Sequence, residues 1–140
     1  MDELTKLTDT EAEKRVIGSL LIDTQYTPDV RAFLRAEDFT AVDYRHIYRA
    51  MMQLADRGLP TDDIWLVLVE WESLGDKPKP SVLAECASLP TACHARHYAE
   101  RVHDLAERRR MLREAQQIAG AALDRTKPVS GRTKPGGIIV

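Results

Sequence analysis

Cysteine is scarce in this sequence: Cys86 and Cys93 are the two in 140 residues. Small disulfide-held domains are much richer in cysteine, and the polar, acidic start MDELTKLTDTEAEK does not resemble a secretory leader. We therefore expect free thiols and a cytoplasmic protein. No apolar run approaches the roughly 20 residues that span a bilayer, so no membrane association is expected.

The sequence also lacks the alternating apolar and polar runs that predict β-strands. Helix signals divide it instead. Thr8 and Glu11 are spaced as a capping box, Thr27 and Thr61 are placed as N-caps, and Gly58 suits a helix end. These patterns predict an all-α fold, a small bundle of about five to six helices with a long C-terminal helix.

Composition divides the chain into three parts. Residues 1–10 are expected to form a flexible N-terminus, and residues 11–123 form the helical domain. Residues 124–140 are rich in proline, glycine and basic residues, which is typical of a flexible tail or linker. Phe39 lies in a connector inside the helical part and is predicted to fill the core.

The last helical pattern, residues 91–123, is the longest one. It contains no proline, and no glycine before Gly120. Such a helix would be about 45 Å long, which is more than a small domain needs to cover its own core. Arg109 and Gln116 lie on the same heptad rows as the apolar residues and predict a polar break that sets register. The candidate interaction residues follow this helix: Tyr98, Val102, Leu105, Arg108, Arg109, Leu112, Arg113, Gln116, Ala119 and Leu123.

No catalytic motif is complete. The glycines from Gly131 have the spacing of a phosphate loop, but Gly137 and Ile138 stand where lysine and serine or threonine are required. A serine nucleophile elbow and a dinucleotide-binding fingerprint are also missing. We therefore expect no catalysis and no cofactor. Cys93 and His97 are four residues apart, yet they form no standard zinc motif, so ordinary helix residues are the simpler interpretation and metal ligation the alternative.

Charge is distributed unevenly along the chain. Residues 1–90 carry 10 Lys/Arg against 17 Asp/Glu, and residues 91–140 carry 10 against 5. The basic run Arg108–Arg110 favours phosphate contacts, but acids at helical spacing, such as Asp104 and Glu107, favour pairing within the helix. A small DNA-binding regulator is therefore the weaker hypothesis. Asp62 and Asp63 are adjacent and are interpreted as partners of a helix N-terminus rather than as an acid–base pair.

Several segments, taken in order, resemble the N-terminal domain of DnaB-type replicative DNA helicases. EAEKRVIGSLLID at 11–23 is similar to the first helix of that domain. The stretches at 37–51 and 58–62 resemble its "EDF…H..I…M" and "G.P.D" patterns. Residues 83–102 resemble its "LAE…P.A…YA..V" run. The resemblance covers about residues 11–123.

The resemblance implies a non-catalytic domain for assembly and primase docking in DNA replication. In this family two such domains pair through helical hairpins, on a hexameric ring driven by ATP. The expected partners are a second copy, the helicase ring and primase, with DNA contacted only indirectly. The sequence departs from the family in having no motor domain and a tail from Arg125 in place of the second hairpin helix. ATP-dependent unwinding would require a motor domain. The alternative is a standalone protein that modulates a helicase.

Overall fold

The computed structural model describes residues 2–126 and 128, and its secondary structure there is helical throughout. This confirms the all-α prediction. Two short 3₁₀ turns, at Thr24–Tyr26 and Ala36–Asp38, connect some of the helices. The helices are α1 (Asp2–Lys6), α2 (Thr10–Ile22), α3 (Thr27–Arg31), α4 (Val42–Asp56), α5 (Ile64–Ser73), α6 (Pro80–Cys86) and α7 (Ala95–Leu123).

Two of the predicted helix starts were wrong by two residues or less. Asp9 caps α2 through its carboxylate, which accepts a hydrogen bond from the Ala12 amide at 3.0 Å. The Thr8 hydroxyl donates instead to the carbonyl of Leu4, a residue of α1. At α5 the cap is Asp63, whose carboxylate accepts from the Leu66 amide.

Two threonines that the sequence placed at helix starts lie in the interior. The Thr61 hydroxyl donates to the Leu20 carbonyl at 2.8 Å and lies 3.2 Å from the Thr27 hydroxyl. Both side chains are buried, so these bonds satisfy polar groups that water does not reach. Thr27 opens α3 as a helical residue, after Tyr26 at the N-cap position.

The core is formed by side chains from every helix from α2 to α7. Val16 and Leu20 of α2 and Ile47 of α4 are fully buried. Phe39 also has no exposed surface, and its ring centroid lies 4.8 Å from that of Tyr48, which confirms the predicted core position. Ile64, the first residue of α5, is 40% exposed.

Helix α7 covers α2 and then continues beyond the body of the domain. It begins at Ala95, after a bend and turn at residues 92–94, and it contains 29 residues. Its buried side chains end at Arg109. Gly58 has φ of 72°, the left-handed conformation predicted at the end of α4. None of the described helices combines the length and apolarity needed to cross a membrane.

The proposed division of the chain remains a prediction at both ends. Residues 1–10 include α1, a helix that the sequence did not predict. In the tail, the structure describes residues 124–126 and 128. The segment that resembles a phosphate loop, residues 131–138, lies outside the described residues.

Candidate interaction surface

The first half of α7 packs on its own domain. Val102 is 2% exposed and Leu105 is 6% exposed, so these two candidate residues belong to the core. Tyr98 is half-buried, and its hydroxyl accepts a hydrogen bond from Arg15 of α2 at 3.3 Å. This half of the helix therefore has no continuous apolar surface to offer a partner.

Arg109 holds α7 to the body. Its guanidinium donates to the Leu7 carbonyl at 2.7 Å and to the Asp38 carbonyl at 2.9 Å. Burial lowers the pKa of Arg109 because the charged form loses hydration. The adjacent Arg110 donates to the Asp38 carboxylate at 3.0 Å. The sequence placed Arg109 in a polar break of a helix pair, whereas the structure places it inside the contact between α7 and the body.

The remaining arginines of the basic run differ in their surroundings. Arg108 is exposed and pairs with Asp104 at 2.9 Å, four residues earlier on the same helix. Arg113 is exposed and forms no hydrogen bond or ion pair with another described residue. Since Arg108 and Arg110 are paired and Arg109 is buried, the run does not present a free basic face for DNA.

From Met111 onward α7 is largely exposed. Of the candidate residues here, Leu112 is half-buried, Gln116 and Ala119 are exposed, and Leu123 is 81% exposed. Two further apolar residues, which the sequence did not indicate as candidates, are Met111, 66% exposed, and Ile118, 41% exposed. Their seven-residue spacing was a visible signal for a shared helix face.

We define the distal face of α7 as Met111, Ala115, Ile118 and Ala122, which follow one another at steps of four, three and four residues. All four side chains are exposed. Asp104, seven residues before Met111, lies on the same side of the helix. Val102, Ala106 and Arg109 form the opposite side, which contacts the body. The apolar surface of α7 therefore changes sides after Arg109 and points away from its own domain.

A second exposed apolar surface lies on α5. Trp65 is 70% exposed and Val69, four residues later, is 44% exposed. Trp71 on the same helix is buried in the core. Every position of α5 from Ile64 to Val69 is apolar, so this helix has more apolar surface than its own core covers.

The two cysteines have different environments. Cys86 is buried, and burial raises the pKa of its thiol to about 11. Cys93 is exposed and precedes the first residue of α7, so the helical spacing to His97 does not apply. Within the described part of the chain, no three His, Cys, Asp or Glu side chains are grouped as metal ligands.

The paired aspartates before α5 act as the sequence suggested only in part. Asp63 caps the helix N-terminus. Asp62 contacts the 3₁₀ turn that follows α2, where its carboxylate accepts a hydrogen bond from the Thr24 amide at 2.9 Å. Both carboxylates therefore hold backbone groups in place.

These features define a class of protein: a small helical domain whose last helix extends beyond the core and exposes an apolar face, as in interaction and assembly domains. The family model of the DnaB-like helicase N terminal domain matches residues 5–104. The chain belongs to this family, which confirms the resemblance found in the sequence.

Two curated relatives show how much of a helicase the chain matches. It is 34% identical over 112 residues to the replicative DNA helicase DnaB of Geobacillus stearothermophilus, covering 78% of this chain and 25% of that protein. It is 32% identical over 112 residues to the replicative DNA helicase DnaC of Bacillus subtilis strain 168, with the same coverage of both chains. The chain thus spans about a quarter of the length of these relatives.

A solved structure supports the fold. The crystal structure of the N-terminal domain of DnaB helicase from Mycobacterium tuberculosis matches with a TM-score of 0.81 and 27% sequence identity. The match covers 88% of this chain and 90% of that one. The similarity therefore extends over nearly the whole domain, including most of its helices.

Proposed function

We propose that the chain is a non-catalytic assembly and docking domain in DNA replication. It would pair with a second copy of itself, support the assembly of a helicase ring and provide a docking surface for primase. Membership of the helicase N-terminal family supports the replication context. ATP-dependent unwinding is part of the proposal only for a protein that joins this domain to a motor.

The distal face of α7 is the observation that carries the proposal. Met111 and Ile118 are large apolar side chains that are exposed to solvent, on the part of α7 that extends beyond the core. An isolated helix of this length gains little stability in water, and packing of an apolar face normally supports it. Because the face points away from its own domain, a second molecule can cover it without displacing any contact of the body.

Self-pairing predicts that one charge on this face weakens association. Ile118→Glu would place a carboxylate in the dry contact, and we expect at least a tenfold weaker dimer, or roughly 1.4 kcal/mol. Light scattering over a concentration series measures the change. Gln117→Glu is the matched control, because it adds the same charge one residue away on a polar side of the helix. A wild-type chain that stays monomeric at about 100 μM, where even weak specific pairs form, would contradict self-pairing.

Primase docking makes a separate prediction. Titration of this chain with the cognate primase in a calorimeter should give saturable binding with a dissociation constant below about 100 μM. Repeating the titration with Ile118→Glu shows whether primase needs the paired form. Absence of binding to the wild-type chain would remove primase from the proposal and leave self-pairing to be judged by light scattering.

A further inference from the structure

An arginine-lined cavity of about 320 Å³ lies where α1, α4 and α7 meet. Arg45 comes from α4, while Arg109 and Arg113 come from α7. Glu37 is the acidic residue in the lining, and its carboxylate lies 3.8 Å from the guanidinium of Arg35. The charged groups of the lining therefore sum to a net positive charge of two.

The lining arginines are unusual because none of them has a carboxylate partner among the residues whose side chains are described. Most other arginines in the described chain form ion pairs, as Arg57 does with Glu70 at 2.7 Å. Those without such a pair among the described residues are Arg45, Arg49, Arg109, Arg113 and Arg125. Three of these five line the same cavity.

The protein contacts of these arginines leave donors available. Arg109 uses two of its five N–H groups on the carbonyls of Leu7 and Asp38. Arg45 directs Nε and Nη2 to the single carbonyl of Phe39, at 3.2 and 3.1 Å. Arg113 makes no hydrogen bond to a described residue. Several guanidinium N–H groups can therefore bind a ligand without breaking a contact of the fold.

The charges around Arg109 favour an anion. Arg113 lies four residues after Arg109 on α7, a spacing at which like charges repel. The nearby carboxylates are already engaged: Glu13 accepts from the amides of Thr40 and Ala41, and Asp38 accepts from Arg110. An anion in the cavity would relieve the repulsion that the fold itself leaves in place.

We propose that this cavity binds a phosphoryl anion, supplied either as free polyphosphate or as the phosphate chain of a nucleotide. Guanidinium groups match phosphoryl oxygens in shape, and a phosphoryl group carries more charge and more acceptor oxygens than a carboxylate. The cavity volume is at the lower end of the range for small-molecule sites, which suits a phosphate chain. Binding would join α1 and α4 to α7 at the point where α7 leaves the body.

Pyrophosphate is the first probe. At about 10 mM and constant ionic strength it should raise the melting temperature by roughly 4 °C, if the dissociation constant is about 1 mM. Calorimetry then measures the affinity directly. ADP is the second probe: tighter binding of ADP than of pyrophosphate assigns the site to nucleotides, and equal affinity assigns it to the phosphate chain alone. Either result supports the proposal.

Arg113→Gln tests the position of the site. The residue is exposed, so the fold should tolerate the change, and affinity for pyrophosphate should fall at least tenfold. Arg49→Gln removes the same charge from an exposed, unpaired arginine outside this cavity, and should leave affinity within about twofold. No shift with the wild-type chain, equal loss in both variants, or an equal shift with citrate would overturn the proposal. Its outcome is independent of self-pairing, which is measured without any ligand.

Discussion

Replacing Gly18 by alanine is expected to lower the free energy of unfolding by about 3 kcal/mol. A Cβ at this position would lie 2.1 Å from the carbonyl oxygen of Cys86 and 2.9 Å from a methyl carbon of Leu89. The nearer atom belongs to the backbone, so a side-chain rotation cannot relieve the contact. Helices α2 and α6 would have to separate, and the packing between them would be lost.

Gly120→Ala is the matched control for this prediction. Gly120 also lies within a helix, but nothing is within 4 Å of its ideal Cβ position. Alanine should therefore stabilise the chain there, by up to about 1 kcal/mol, through its higher helix propensity. Urea unfolding of both variants gives the two free energies. Equal stabilisation at the two positions would show that α2 and α6 do not approach each other this closely.

Glu13→Gln is expected to destabilise the domain by about 2 kcal/mol. Glu13 is 2% exposed, and its carboxylate accepts from the amides of Thr40 and Ala41 and from the Thr40 hydroxyl at 2.7 Å. These donors lie immediately before α4. Glutamine has the same shape but presents an NH₂ group to them, which leaves at least one donor without an acceptor and weakens the charge-assisted bonds that remain.

Glu11→Gln provides the control on the same helix. Glu11 is exposed and pairs with Arg15 at 2.8 Å, the kind of surface pair that contributes less than about 1 kcal/mol. Chemical denaturation should thus separate the two variants clearly. Similar small losses at both positions would mean that the Glu13 carboxylate does not hold the start of α4.

The Glu13→Gln variant tests the connector before α4, which helps to fix the direction of α7. Glu13 fixes the segment at Thr40, and Asp38, two residues earlier, gives its carbonyl to Arg109 and its carboxylate to Arg110. Helix α7 is therefore held by a connector that is itself held by α2. The connector matters because the exposed half of α7 begins directly after Arg109 and Arg110, which this connector holds.

Local patterns in the sequence were sufficient to predict much of the fold. Phe39 and Gly58 were placed correctly because burial of an isolated aromatic and a left-handed helix end depend on few neighbours. Thr61 was misplaced because its partner, the Leu20 carbonyl, is 41 residues away in the chain. A hydroxyl that caps a helix and one that satisfies a distant carbonyl look the same in a sequence.

The interaction surface also depends on contacts between residues that are far apart in the sequence. Arg109 bonds to Leu7, 102 residues earlier, and no spacing rule reveals such a contact. Met111 and Ile118 were recognisable as a helical row, but their exposure depends on where the body of the domain ends. The sequence therefore predicted the helix that carries the surface, and the structure was needed to find its exposed side.

A concentration series of amide NMR spectra tests the central claim that the distal face of α7 is a pairing surface. Resonances of residues 111–123 should shift progressively with concentration, because pairing changes their surroundings. Those of α4, which lies in the body, should stay constant. The account would be contradicted by spectra that do not change with concentration, or by shifts confined to α5 and its exposed Trp65.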